Sequence, residues 1–400
     1  MKTSFTTVVK VPFVFTFLIL TFSAFSQVWQ YGKNRYTIKV DGIEREFFVH
    51  IPQKYTGNEK VPLVFMLHGT SGDGEKFYDA VGWRTLSNQE GFIAVFPSSL
   101  KYTIVTGGDT TNITKWNTTP DTEFKILPPG AGADDIKFLR EIVTQIVDKL
   151  NIDEDRIYLE GFSNGGQMAA KCAIEMSDVL AAVCENASSF YLDTTYLPKR
   201  KLPVLFQIGD RDYGPGNEGP AAPMSYFDEL ISDPNITYKG GKLHFIAKRH
   251  IENFDLQSDF TMVGDTTFAL AATFLPNHPG PGTGYEFIYV FVYDLAHKYP
   301  NGENHPFNAP RLHWDWMKQF KREFTSATHV DKNILTSLRV IPNPSANFIE
   351  IENASNVTIY DLYGTTQYFG TSISPIDVSL WKNGLYIVRS DSGVGKFIKI

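Results

Sequence analysis

The chain has 400 residues, 42% of them hydrophobic, 14% aromatic and 20% charged, which describes a packed globular protein with more chain than one ordinary core organises. Its 37 Lys and Arg against 44 Asp and Glu give a net charge of −7, and this excludes a phosphate-tracking nucleic-acid binder. The only long apolar run lies at the extreme N-terminus, so a polytopic membrane protein is excluded too.

That first segment follows an export pattern. Lys2 and Lys10 precede an apolar stretch over 11–22, and the small residues Ala24 and Ser26 stand before Gln27. A signal peptide is expected over 1–26, removed from a chain that works outside the cytoplasm, because the run is short for a permanent span.

From about residue 35, strand and helix patterns alternate, as in an α/β layer fold with a mostly parallel central sheet. Strands are expected at 45–51, 61–67 and 91–96, the second a near-continuous apolar run suited to a central parallel position. Residues 101–133 read as a polar loop. Asp134 and Asp135 suit a helix start, after which Ile136, Leu139, Ile142, Val143, Ile146, Val147 and Leu150 recur at helical spacing. A strand at 156–160 leads into a helix from 164 to about 176. Further strands follow at 180–184, 203–208 and 285–293, and a helix from 311 to about 324 closes the unit. Between residues 212 and 297, strand patterns recur at 242–247 and 267–274. Past residue 330 the style changes to short strand-like runs between Asn-Pro, Gly and Ser turns. This predicts a unit over 27–330, a linker at 331–335 and a small antiparallel β-sandwich over 336–400.

Cys172 and Cys184 both lie in apolar patterns. They form either a bridge, which an oxidising compartment permits, or two buried free thiols, and their spacing does not suggest zinc.

The sharpest chemical signal is Gly161-Phe162-Ser163-Asn164-Gly165-Gly166, set between an expected strand and an expected helix. As a bare pattern it is weak, and Ser163 could simply cap the helix. The strand–turn–helix setting raises it, because a tight turn there holds a serine hydroxyl above the sheet edge with a helix N-terminus beside it. The Asn164 N–H then points where an oxyanion forms. A second donor belongs on the loop after an earlier strand, which is His68-Gly69-Thr70-Ser71-Gly72, with the Thr70 N–H as the candidate. An acid is expected after the strand at 203–208, with Asp212 preferred and Asp210 the competitor, the unused one pairing with Arg211. The base must be a histidine on a later loop, since imidazole titrates near neutrality. His297 follows the longest aromatic strand and precedes the breakers Pro300 and Gly302, with His305 as runner-up.

Together these residues resemble the secreted polyhydroxybutyrate depolymerase and feruloyl esterase-like branch of the α/β-hydrolases, close to carbohydrate esterase family 1. The likeness runs from about Arg45 to Met317. It rests on the 62–69 strand and turn, on Gly82-Trp83 with 90–97, on Asp134-Asp135, on the segment around Ser163 through Met168, on Gly209-Asp210-Arg211-Asp212 and on His297-Lys298-Tyr299-Pro300. Tyr299 departs from it, standing where the family commonly carries tryptophan. The resemblance implies an α/β-hydrolase fold, Ser163 as nucleophile, Asp212 as acid and His297 as base, with no metal or organic cofactor required. Residues 338–344, 357–364, 383–389 and 396–399 in turn resemble the type A sorting domain of the type IX secretion system. This implies passage through that machinery to the cell surface or beyond.

The expected chemistry is hydrolysis of carboxylic esters through an acyl-enzyme, on feruloyl or acetyl groups of plant polysaccharide. Trp83 and Trp116 are candidates to frame the cleft, with core packing as their other reading. A hydroxyalkanoate depolymerase is the alternative. A prolyl oligopeptidase-like peptidase and a non-catalytic surface glycan binder are further rivals.

Overall fold

A computed structural model describes residues 29–118, 125–188, 197–214, 216–217, 219–236, 241–278, 284–322, 338–352, 354, 356–361, 366–371, 375–390 and 393–400. The expected signal peptide and the linker at 331–335 lie outside the described residues.

An antiparallel hairpin comes first, β1 (Gly32–Val40) and β2 (Ile43–Ile51). Then follow β3 (Val61–Leu67), α1 (Gly74–Ala80), α2 (Trp83–Glu90) and β4 (Ile93–Pro97). Three short strands, β5 (Leu100–Thr106), β6 (Asp109–Lys115) and β7 (Lys125–Leu127), make a separate antiparallel flap. The chain continues with α3 (Asp135–Lys149), β8 (Ile152–Phe162), α4 (Asn164–Glu175), β9 (Ala182–Asn186) and β10 (Val204–Gly209). It ends this unit with α5 (Phe227–Ser232), α6 (Lys242–Phe254), β11 (Leu256–Asp265), β12 (Ala269–Pro276), β13 (Phe287–Val292) and α7 (Ala309–Met317).

Ten strands form one sheet in the order β1-β2-β4-β3-β8-β9-β10-β13-β12-β11. The six from β4 to β13 are parallel, and antiparallel strands close both edges. One face carries a core with α3, α4, α5 and α6, the other a core with α1, α2 and α7. Covered on both sides, β3 and β4 lose the alternation of a half-exposed strand and become continuous apolar runs, while β9 and β10 are buried throughout and carry Glu185, Asn186 and Gln207 inside. This is the α/β-hydrolase fold that the resemblance implied.

Two local expectations need correction. Residues 242–247 are the start of helix α6, not a strand. Leu243, Ile246, Ala247, His250 and Phe254 are its buried stripe, and six residues were too few to separate alternation from a helical period. The polar stretch after β4 is the β5–β7 flap: among its described residues β5 buries only Tyr102 and Ile104, and β6 and β7 are largely exposed, so the stretch lacks a strong apolar signature.

Past residue 338 two small antiparallel sheets face each other. One holds Val340–Ile341, Phe348–Ile351 and Ile376–Asp377, and the other holds Asn356–Asp361, Thr366–Thr371, Gly384–Ser390 and Gly393–Lys399. Val357, Ile359, Val388 and Phe397 fill the space between them. Among the described residues, no helix is long and apolar enough to cross a membrane.

Candidate active site

Strand β8 ends at the carboxyl rim of the sheet, and Ser163 turns the chain into α4 at φ +57° and ψ −122°. Glycine is required on both sides of the turn. A Cβ at Gly161 would stand 2.0 Å from the Gly165 carbonyl oxygen, and one at Gly165 2.3 Å from that of Leu67. A serine so placed stores about 1–3 kcal/mol of backbone strain. The Ser163 N–H, donating to Asn186 O at 2.8 Å, and the Gln167 N–H, donating to Ser163 O at 3.0 Å, hold it there.

His297 lies on the loop after β13. Its Nε2 is 2.9 Å from Ser163 Oγ, and its Nδ1 is 2.9 and 3.1 Å from the two carboxylate oxygens of Asp212. A carboxylate can only accept, so Nδ1 carries the proton and Nε2 is left to accept from the serine. Asp212 is buried and also accepts from the Gly214 N–H at 2.9 Å. The Phe162 ring lies against the imidazole, with centroids 5.1 Å apart.

Asp210 faces elsewhere. It is fully buried, which raises its carboxyl, and it accepts from the Leu295 N–H at 3.2 Å, bracing the loop that carries His297. Arg211 pairs with Asp294 at 3.0 Å, not with Asp210 as expected. His305 engages Tyr293 O at 3.1 Å and the Phe307 N–H at 3.0 Å.

Asn164 opens α4, so its N–H is among the free donors of the helix start. Its side chain accepts from the Trp116 N–H at 2.7 Å. On the loop after β3, a Cβ on Gly69 would lie 3.1 Å from Ser163 Cβ, which sets this loop against the Ser163 turn. There the Ser71 N–H donates to Thr114 O and the Gly72 N–H to Gly69 O, with Thr70 half-buried beside them. His68 braces the loop from inside. Its Nδ1–H donates to Gly69 O at 2.7 Å and its Nε2 accepts from the Ser99 N–H at 3.0 Å, while burial lowers its pKa to about 4 and keeps the ring neutral.

Trp83 and Trp116 do not frame a cleft. Both are fully buried: Trp83 donates to the Tyr299 hydroxyl at 2.8 Å, and Trp116 donates to His68 O at 2.8 Å. Sequence carries the size of a side chain but not which way it points. Cys172 and Cys184 are both free, and burial pushes both thiols well up.

One buried ion pair and one buried carboxylate near the site escape a pattern-based reading. Arg45 and Asp135 pair at 2.5 Å with almost no exposure, the guanidinium lying 3.9 Å over the Phe138 ring. Asp135 also accepts from the Asn117 N–H at 2.7 Å, which fixes the segment whose Trp116 holds Asn164. Burial raises the Asp135 carboxyl, with Arg45 opposing. Replacing Asp135 by Ala leaves Arg45 buried without its partner and should cost about 3–5 kcal/mol, read as a fall in the urea midpoint. A midpoint equal to wild type would show that the pair does not hold this segment. The lone carboxylate is Glu160, fully buried on β8. It accepts from the Tyr299 hydroxyl and from Asn186 Nδ2 at 3.1 Å, and lies 3.2 Å from His313 Nδ1. A lone carboxylate in the mostly apolar second half of β8, from Ile157 to Phe162, was the signal available.

Residues 47–195 match the family model described as Esterase PHB depolymerase, and residues 339–400 match that of a secretion system C-terminal sorting domain. The first span contains Thr70, Ser163 and Asn164 and ends before Asp212. The chain is 27% identical over 173 residues to a bifunctional acetylxylan esterase/xylanase of Neocallimastix patriciarum, covering 43% of this chain and 22% of that protein. It is 24% identical over 209 residues to feruloyl esterase B of Piromyces equi, covering 50% and 34%. A poly(3-hydroxyalkanoate) depolymerase C of Paucimonas lemoignei is 26% identical over 171 residues, covering 42% and 35%. The aligned part thus spans at most about a third of each of these relatives. Both resemblances drawn from the sequence are borne out.

Proposed function

We propose that this chain is an exported serine esterase that cleaves carboxylic esters through an acyl-enzyme. The observation that carries this reading is the hydrogen-bonded line from Ser163 Oγ through His297 to Asp212, anchored on a strained turn at a helix N-terminus. In the mechanism, Ser163 attacks the ester carbonyl while His297 Nε2 takes its proton. Asp212 keeps the imidazole in the useful tautomer and steadies the imidazolium that forms. The Asn164 and Thr70 N–H groups receive the oxyanion. His297 then returns the proton to the leaving alcohol and activates a water that frees the acid.

Feruloyl or acetyl groups on plant polysaccharide are the preferred substrates, a choice supported by the acetylxylan and feruloyl esterases among the relatives. The depolymerase relative supports hydroxyalkanoate oligoesters as the second reading. Residues 27–330 would form the catalytic unit, and the segment from 336 would serve the type IX secretion machinery after a leader over 1–26 directs export.

The test is a panel of methyl ferulate, acetylated xylan, short p-nitrophenyl esters and hydroxybutyrate oligomers, with fluorophosphonate labelling alongside. Ferulate or acetylxylan should exceed the oligomers in kcat/KM by about tenfold or more, since pocket fit discriminates on that scale. The reverse order would favour the depolymerase. An unlabelled Ser163 with no hydrolysis of any ester would leave a surface glycan binder.

A further inference from the structure

The loop that carries the base is tied to the strand that carries the nucleophile through one buried carboxylate. Glu160 lies three residues before Ser163, and Tyr299 two residues after His297. The Tyr299 hydroxyl donates to Glu160 Oε1 and accepts from Trp83 Nε1–H at 2.8 Å. The same Glu160 oxygen takes Asn186 Nδ2–H, and the Asn186 backbone oxygen takes the Ser163 N–H at 2.8 Å. Phe162 lies between the two sides, its ring edge-on to Tyr299 and against the imidazole of His297. Glu160 is fully buried and Tyr299 is 7% exposed. Water therefore cannot replace either partner, and a carboxylate so placed stays put only while its donors do.

We propose that Tyr299 is a positioning residue for His297 and acts through Glu160, a role that rests on the esterase reading above. The ring fills space, which phenylalanine would fill equally. The hydroxyl adds a directional bond, which sets how far the His297 loop stands from β8 and hence the reach from Nε2 to Ser163 Oγ. Substrate binding does not depend on that distance, but proton transfer does.

The experiment compares the full chain with Tyr299→Phe, Glu160→Gln and the double variant. It measures kcat and KM on p-nitrophenyl acetate, the rate of fluorophosphonate labelling at Ser163, near-UV circular dichroism, and the low-field proton resonance of the His297–Asp212 hydrogen bond. In Tyr299→Phe, kcat and the labelling rate should fall about 10- to 100-fold, the scale of a small misplacement at a reacting pair. KM and the dichroism should stay at wild-type values while the low-field resonance shifts or broadens. Glu160→Gln keeps an acceptor for the tyrosine but a weaker one, so its kcat should fall several-fold at constant KM. The double variant should be no slower than Tyr299→Phe alone.

Wild-type kcat and labelling in Tyr299→Phe would overturn the proposal, as would a rise in KM at constant kcat or a double-variant loss equal to the product of the singles. If Tyr299→Phe fails to fold, Glu160→Gln decides: unchanged kcat with an unmoved resonance overturns it. A wild-type chain unlabelled at Ser163 sinks the esterase reading instead. The resonance comparison needs no turnover and still judges the positioning.

Discussion

Ser163→Ala is expected to lower kcat for any ester substrate about 10⁶-fold, because removing the nucleophile disables base and acid along with it. What remains is the modest catalysis that oxyanion donors and binding give alone, about 10³–10⁴ over water. The fold should survive, since the bond that seats residue 163, its N–H to Asn186 O, belongs to the backbone. Alanine inherits the serine's positive φ and its strain. Ser163→Gly should therefore be equally inactive but more stable than Ser163→Ala by about 1 kcal/mol or more, because glycine adopts this conformation without strain. Turnover and fluorophosphonate labelling test the first claim, and thermal unfolding of the two variants tests the second. Ester hydrolysis by Ser163→Ala near the wild-type rate would mean that another group attacks the carbonyl.

Most of the layer architecture was legible because the central strands are covered on both faces. Val61–Leu67 and Ile93–Pro97 cannot be anything but apolar runs in such a place. The long amphipathic stripe of α3 was equally plain, while the six residues that open α6 were not. The Ser163 turn was readable because sterics leave few options: the atoms that crowd Gly161 and Gly165 are backbone, so no side chain could stand there. Burial and direction were the parts that sequence withheld. Sequence leaves Trp83 and Trp116 open between core packing and a cleft, and their inward-bonding indole N–H groups decide for the core. Asp135 looks like a second capping residue beside Asp134. In the structure only Asp134 caps α3, by accepting from the Lys137 N–H, and Asp135 turns into the core to meet Arg45. Pairings between distant segments, such as Glu160 with Tyr299, have no local signature at all.

The choice between two neighbouring aspartates gives the second large expected effect. Asp212 accepts the His297 Nδ1 proton with both oxygens. An asparagine there can present its amide N–H to Nδ1, which stabilises the tautomer with the proton on Nε2 and leaves nothing to accept from Ser163. Asp212→Asn should then drop kcat about 10⁴-fold, with the geometry kept. Asp210→Asn should behave quite differently. Its oxygen still accepts from the Leu295 N–H, and burial already opposes a charge at this position, so a neutral side chain of the same shape relieves that cost. Activity within about tenfold of wild type is expected, since at most a small shift of the His297 loop follows. Steady-state kinetics on one soluble ester separate the two cases. Equal losses in both variants, or the larger loss in Asp210→Asn, would place the acid on the wrong residue.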